Sequence, residues 1–273
     1  GQPLSWSLLS GQTPAFSMGL PTPGTNKLSI LRAIEDGWQA FCRAPWPFVL
    51  FQVLVLVIMA PFIGLITSGL LHLALGAPAL LHPVATKIGL VVGIIGYIIV
   101  ALWAAVGLTR GAWTSLEGHK PSFSSFTRWD SDASGRLFGS SLLLVIVLAV
   151  VGAVAWGIGF GLGKVNTVLF WIPVIAFAIF KIWLVVTQQF LVPMSLYGTK
   201  RPVETLQAGI DGVNPSWWTV LWFVIVESVV AGVAYLFNAG GLLVLAPVLI
   251  CVSTAAYRQL FGSQDHTGIM SNN

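Results

Sequence analysis

Two side chains of opposite charge, Lys181 and Glu227, lie inside long apolar stretches of the sequence. Counted from the end of each stretch that borders the more basic segments, Lys181 lies about 11 residues in and Glu227 about 10. At about 1.5 Å per residue, both positions fall near the middle of a bilayer. A lone charge there costs about 2.5 to 3.5 kcal/mol on insertion scales, so two opposite charges at one depth are expected to pair. The pair predicts either a proton or ion path or a structural contact between helices, and the scarcity of polar neighbours favours the structural contact.

The other residues that could do chemistry lack the spacing of an enzyme, a metal site or a redox site. The four His residues are scattered, and none lies in the middle of an apolar stretch, where a haem ligand is expected: His72, His82, His119 and His266. Cys42 and Cys251 have no partner motif and are interpreted as small apolar fillers. No phosphate-binding loop, zinc-protease motif or nucleophile elbow occurs. We therefore expect a non-enzymatic protein with no catalytic residue, no metal site and no cofactor.

The composition indicates which elements must hold Lys181 and Glu227. Of 273 residues, only 13 are Lys or Arg and 9 are Asp or Glu, whereas 56% are hydrophobic. A soluble domain of this size has about a quarter of its residues charged, because its surface has to be polar. Two cysteines are too few for a disulfide scaffold. The composition therefore predicts an integral membrane protein in a lipid bilayer.

Continuous apolar runs predict an all-α, polytopic membrane protein with six transmembrane helices, because each run approaches the roughly 20 residues that a helix needs to cross a bilayer. The runs cover 47–73, 88–108, 137–162, 168–192, 217–237 and 241–256. A weak internal repeat, in which Val150–Ala155 resembles Val229–Ala234, favours an arrangement of three helical hairpins.

Basic residues predict the orientation of these spans. With six spans, both termini lie on one side, and that side carries ten Lys and Arg residues against two, Lys87 and Lys164, on the other. The positive-inside rule then places both termini in the cytoplasm. The excess positive charge is thereby explained by orientation, and we expect no binding of nucleic acid.

The segments outside the spans divide the chain into a flexible N-terminal tail (1–26), a membrane domain (27–262) and a short C-terminal tail (263–273). Apolar residues at helical spacing predict amphipathic helices at the cytoplasmic interface before the first and fifth spans. The first of these helices covers 27–43 and presents an apolar face formed by Leu31, Ile34, Trp38 and Phe41. Four basic residues near these helices are candidate contacts for anionic lipid headgroups: Arg32, Arg43, Lys200 and Arg201.

A polar run between the second and third spans, 121–136, is predicted to be an interfacial loop anchored by aromatic rings. Its rings belong to Phe123, Phe126 and Trp129. The charged residues in and around it are expected to be solvated: Glu117, Lys120, Arg128, Asp130, Asp132 and Arg136.

The chain resembles a broad group of bacterial six-helix membrane proteins. The group includes the YciC-like proteins and the membrane domain fused to some glycerophosphodiester phosphodiesterases. The resemblance spans roughly residues 28–262 and rests on four segments: Ala33–Trp38, Gly118–Phe123, the helix at 204–213 that runs into Trp217–Trp218, and Pro247–Val248 with Ala255–Leu260. It implies a multi-pass protein of the bacterial inner membrane, or of another energy-transducing membrane, and it supplies no catalytic residue. The phosphodiesterase activity of the fused proteins belongs to a separate soluble domain.

Two functions fit this sequence. The first is a scaffold or accessory subunit of a larger membrane complex, with other membrane protein subunits as partners, because the chain has little mass outside the membrane and no catalytic constellation. The alternative is a transporter or channel for a small solute, lipid or proton, with Lys181 and Glu227 in its path.

Overall fold

The computed structural model describes residues 28–75, 83–236 and 239–270, and throughout these residues the regular elements are helices. The predicted N-terminal tail and His82 lie outside the described residues. The ten α-helices of this part of the chain are α1 (Ile30–Arg43), α2 (Pro45–Leu75), α3 (Pro83–Leu116), α4 (Phe123–Thr127), α5 (Ser131–Gly163), α6 (Thr167–Thr187), α7 (Leu191–Pro193), α8 (Pro202–Val213), α9 (Trp217–Leu236) and α10 (Ala239–Phe261). A π-helical turn, Met194–Gly198, follows α7, and a short 3₁₀ turn, Asn214–Ser216, joins α8 to α9.

Six helical segments are long and apolar enough to cross a membrane, which confirms the predicted all-helical, multi-pass class. They are Pro45–Ala74, Val84–Leu116, Ser131–Gly163, Thr167–Thr187, Pro202–Val233 and Leu243–Phe261. Three of the helices extend more than one turn beyond the ends that their apolar runs predict. α3 continues to Leu116, α5 begins at Ser131, and α10 continues to Phe261. These added turns carry polar residues, so hydropathy alone does not reveal them.

α6 is shorter than its apolar run predicts, because it ends at Thr187 and not near residue 192. The Thr187 hydroxyl donates a hydrogen bond to the Leu184 carbonyl at 2.9 Å within the last turn. Pro193 has no backbone N–H and cannot continue the helical ladder, so the chain turns through α7 and the π-helical turn instead.

Packing is concentrated around α10. In its most apolar stretch 56% of the residues are buried, against 6 to 17% in the other five candidate spans. α10 contacts α1, α2, α3 and α9, whereas α2 packs mainly along α3, and α5 along α6. The largest buried aromatic side chains lie near the ends of the helices that adjoin the basic connecting segments, and we call this the basic end.

The structure confirms that the segment before the first span forms a helix, α1, but only part of the predicted apolar face of this helix is buried. Phe41 is buried, whereas Leu31, Ile34 and Trp38 remain exposed. The face that packs on α10 is built from small residues with Phe41, and Gly37 lies directly over Val252.

The segment 121–136 differs from the predicted loop. It contains α4 and the first turns of α5, and Phe126 is completely buried, while Phe123 and Trp129 remain exposed. Asp130 caps α5, since its Oδ1 accepts a hydrogen bond from the Ala133 amide at 2.9 Å.

Residues 263–270 of the predicted C-terminal tail lie against the membrane domain. Ile269 is buried in the core, the His266 amide donates to the Tyr197 carbonyl at 2.9 Å, and the Thr267 hydroxyl donates to the Leu196 carbonyl.

Candidate functional site

The most elaborate polar arrangement in the described residues is a buried group of arginine and aromatic side chains at the basic end. We call it the arginine–aromatic cluster and define it as Arg110, Trp113, Tyr197, Tyr257 and Arg258. α3 supplies the first two residues, the π-helical turn supplies the third, and α10 supplies the last two. Three segments distant in sequence therefore meet at this point.

Arg110 is 1% exposed, and its guanidinium group is held by three oxygen-bearing groups. Its Nη2 forms an ion pair with Asp130 Oδ2 at 3.3 Å, and its Nη1 donates to the carbonyls of Ser125 and Arg128 at 3.2 and 3.3 Å. Because a buried cation without such partners is costly, Arg110 fixes the connection between α3 and α5 in one conformation. The prediction that Asp130 is solvated is therefore wrong.

Trp113 is the centre of the cluster. Its ring stacks on Tyr197 with centroids 4.0 Å apart, and the Arg258 guanidinium lies over it at 4.8 Å from the centroid. Its Nε1 donates to Glu117 Oε1 at 2.8 Å, so Glu117 is also engaged and not simply solvated. Stacking and cation–π contacts of this kind each contribute about 0.5 to 2 kcal/mol.

Arg136 is a third basic residue that the structure places in a specific contact, although it was predicted to be solvated. Its Nε donates to the Ser195 carbonyl at 3.1 Å and its Nη2 to the Leu196 carbonyl at 3.4 Å. α5 is thereby fastened to the same segment that carries Tyr197. The Ser195 and Leu196 carbonyls lie where the chain turns after α6, so a side chain from another helix supplies the hydrogen-bond donors.

The chemistry of the cluster is suited to holding helices together. Burial raises the pKa of the Tyr197 hydroxyl above its ordinary value, so this group is neutral at physiological pH and is not a base. Tyr257 donates its hydroxyl to Met194 Sδ at 3.9 Å. Among the described residues, no group of three or more His, Cys, Asp or Glu side chains is arranged to hold a metal ion.

The structure does not bring Lys181 and Glu227 together. Lys181 is exposed on α6, six residues before the helix ends, which is closer to the end than the predicted 11 residues. Glu227 is partly buried on α9, and its Oε2 accepts a hydrogen bond from Gln189 Nε2 at 2.6 Å. Among the described residues, ion pairs join Arg110 to Asp130 and Arg201 to Glu204, and neither involves Lys181 or Glu227.

The four basic residues considered as lipid contacts have different surroundings. Arg32 and Lys200 are exposed, and Arg201 is exposed while its Nη1 lies 3.6 Å from Glu204 Oε1. Arg43 is partly buried and donates to the Ser115 carbonyl. The last contact ties α1 to the end of α3.

Sequence reasoning missed the arginine–aromatic cluster. Arg110 and Arg258 are among the ten basic residues that were used to predict orientation, and Trp113 and Tyr197 were not singled out. A usable signal was present at Arg110, because the charge lies directly after an apolar span and a charge at such a position needs specific partners.

The two cysteines differ in exposure. Cys42 is exposed, which contradicts its interpretation as an apolar filler, whereas Cys251 is buried.

The fold and the cluster define a multi-pass α-helical membrane protein with a tightly packed basic end. No family model, curated protein or solved structure matches the chain.

Proposed function

We propose that the protein is a non-enzymatic scaffold or accessory subunit of a larger membrane complex, formed by three helical hairpins with interfacial helices on the cytoplasmic side. The observation that carries this proposal is the contrast in burial along the molecule. The basic end holds the largest buried aromatic side chains, whereas five of the six candidate spans bury no more than 17% of their most apolar stretch. Such a chain fixes the helix ends and leaves broad helix faces for other membrane components.

α6 supports this proposal most strongly. Its apolar stretch is the least buried of the six, at 6%. An open and almost wholly apolar groove runs between α6 and α9, lined by Ala176, Ile179, Phe180, Ile182, Trp183 and Trp217. Lipid chains or the helix of another subunit fit a surface of this chemistry.

The alternative, transport along Lys181 and Glu227, has less support. A proton or ion path needs polar groups that face one another across an interior, whereas Lys181 is exposed and Glu227 is engaged by Gln189. The resemblance to six-helix membrane proteins of the bacterial inner membrane is compatible with either function and remains a prediction.

Extraction from native membranes in a mild detergent, followed by measurement of the particle mass, tests the proposed function. We expect a particle well above the 29.2 kDa of the chain plus bound detergent, containing another membrane protein in a fixed ratio. A particle that holds one copy of the chain and no other protein would contradict the proposal.

A further inference from the structure

α6 presents an exposed face that contains a positive charge at bilayer depth. Ala178, Lys181, Ile182 and Val185 follow one another at helical spacing and are all exposed. The apolar members suit the interior of a bilayer. Lys181 does not, because a charge in that environment is stable only with a counter-charge or a route to water.

The Cα–Cβ bond of Lys181 leans away from the nearer end of α6. Side chains on a helix lean towards its N-terminus, which for α6 is Thr167, 14 residues or about 21 Å away. The nearer end at Thr187 lies only about 9 Å away, but in the opposite direction. To reach water at the nearer surface, the lysine stem would have to bend back along the helix, against the lean of its Cα–Cβ bond.

The described part of the chain offers Lys181 no carboxylate within ion-pair distance. Glu227, the acidic residue in the apolar run of α9, is partly buried, and its Oε2 accepts a hydrogen bond from Gln189. A second copy of the chain would meet the same obstacle, because the Oε2 atom of its Glu227 would accept the hydrogen bond from Gln189 and the Oε1 atom would be buried within its own fold.

We propose that the exposed face of α6 binds a membrane-spanning helix of a partner protein, and that this helix places an Asp or Glu carboxylate against Lys181. The inference rests on the proposed function and adds to it the surface and the chemistry of the partner. A small residue at Ala178 lets a second helix approach closely, and Ile182 and Val185 provide apolar contact beside the ion pair. Lipid phosphates lie at the bilayer surfaces, so a carboxylate on a helix matches the depth of Lys181 better.

Site-specific photocrosslinking in native membranes tests this inference. A photoreactive residue replaces Ile182 on α6 or, as a control, Ile95 on α3, and both positions are 54% exposed. We expect position 182 to capture one membrane protein, with the linked peptide in a membrane-spanning segment that contains Asp or Glu within one turn. Capture of the same peptides from both positions, or of this chain alone, would overturn the inference.

Charge variants of Lys181 complete the test. Lys181→Met should reduce the crosslink at least tenfold, Lys181→Arg should retain it, and Lys164→Met at the end of α5 should leave it unchanged. If the Lys181→Met variant is extracted together with its partner in the same yield as the wild-type protein, the ion pair is overturned while the proposed function is left intact. Loss of an anionic lipid in native mass spectra of Lys181→Met, with the partner retained, would assign the counter-charge to lipid. A wild-type chain without any partner would contradict both proposals.

Discussion

Arg110 shows how a single residue organises the basic end. Its guanidinium group joins α3 to Asp130 at the start of α5 and to two backbone carbonyls between them. Since the arginine is almost fully buried, removal of its counter-charge leaves a cation that water cannot fully solvate.

Asp130→Asn should therefore destabilise the protein by about 1.5 to 3 kcal/mol, the usual range for a lost hydrogen bond to a charged group. Asparagine keeps the side-chain oxygen that caps α5, so the effect reports the loss of charge. Asp132→Asn is the matched control, because Asp132 is exposed in the first turn of α5, and we expect a change of less than about 1 kcal/mol. Thermal unfolding in detergent measures both variants, and equal stability of the two would contradict the account of Arg110.

Asp265 holds the C-terminal segment in a turn. Burial alone would raise its pKa, but hydrogen bonds from the Met270 amide, from the Thr267 amide and hydroxyl, and from the Gly268 amide outweigh burial and bring the pKa below its ordinary value of 3.8. A carboxylate with a lowered pKa stabilises the folded state above that ordinary value, and this contribution is lost as the pH falls through the folded pKa.

We expect Asp265→Asn to release residues 263–270 at neutral pH and to speed their cleavage by added protease roughly tenfold, because the charged acceptor of these hydrogen bonds is lost. The wild-type segment should stay protected at neutral pH and become exposed to hydrogen exchange only below about pH 4. Asp211→Asn, on an exposed position of α8, serves as the control. Unchanged protection in Asp265→Asn would show that Ile269 and the hydrogen bonds to Leu196 and Tyr197 anchor the segment without the carboxylate.

At the scale of elements, the contact between α1 and α10 depends on the absence of a side chain at Gly37. A Cβ atom there would lie 2.5 to 2.6 Å from the Cα, N and Cγ2 atoms of Val252, which is closer than real Cβ contacts occur. Two of those three atoms belong to the backbone, so the helices must separate to make room.

Gly37→Ala should consequently destabilise the protein by about 1 to 3 kcal/mol, the usual cost of overpacking. Gly135→Ala is the control, and we expect it to stabilise the protein. Nothing lies within 4 Å of a Cβ atom at that helical position, and alanine favours a helix by about 0.5 to 1 kcal/mol over glycine. Denaturant unfolding in detergent compares the two variants, and stabilisation by both would show that α1 is free to move.

The sequence allowed the six spans and the helix before the first of them to be predicted, because long apolar runs and helical spacing are local signals. It did not allow the end of α6 at Thr187 or the burial of Phe126 to be predicted. The end of α6 had one local signal, Pro193, that hydropathy does not register, whereas the burial of Phe126 depends on contacts between distant segments. The arginine–aromatic cluster was missed for the same reason, since its members come from α3, the π-helical turn and α10.

At the scale of the whole molecule, the distribution of basic residues predicts that the dense basic end faces the cytoplasm. In a background without the natural cysteines, we expect Val165→Cys to react with an impermeant thiol reagent in intact cells. Ser263→Cys should react only after the membrane is opened. Val165 is 81% exposed between α5 and α6, so access to the reagent is not limited by packing. The reverse pattern of labelling would contradict the predicted orientation.

The central claim is that this molecule secures its helices at one end and offers its remaining helix faces to other membrane proteins. A density map of the protein taken with its surroundings from native membranes tests it most directly. The account predicts an additional membrane-spanning helix from another protein along the exposed face of α6, with a carboxylate at Lys181. A map that shows lipid along every face of α6, and no other protein around the chain, would contradict it.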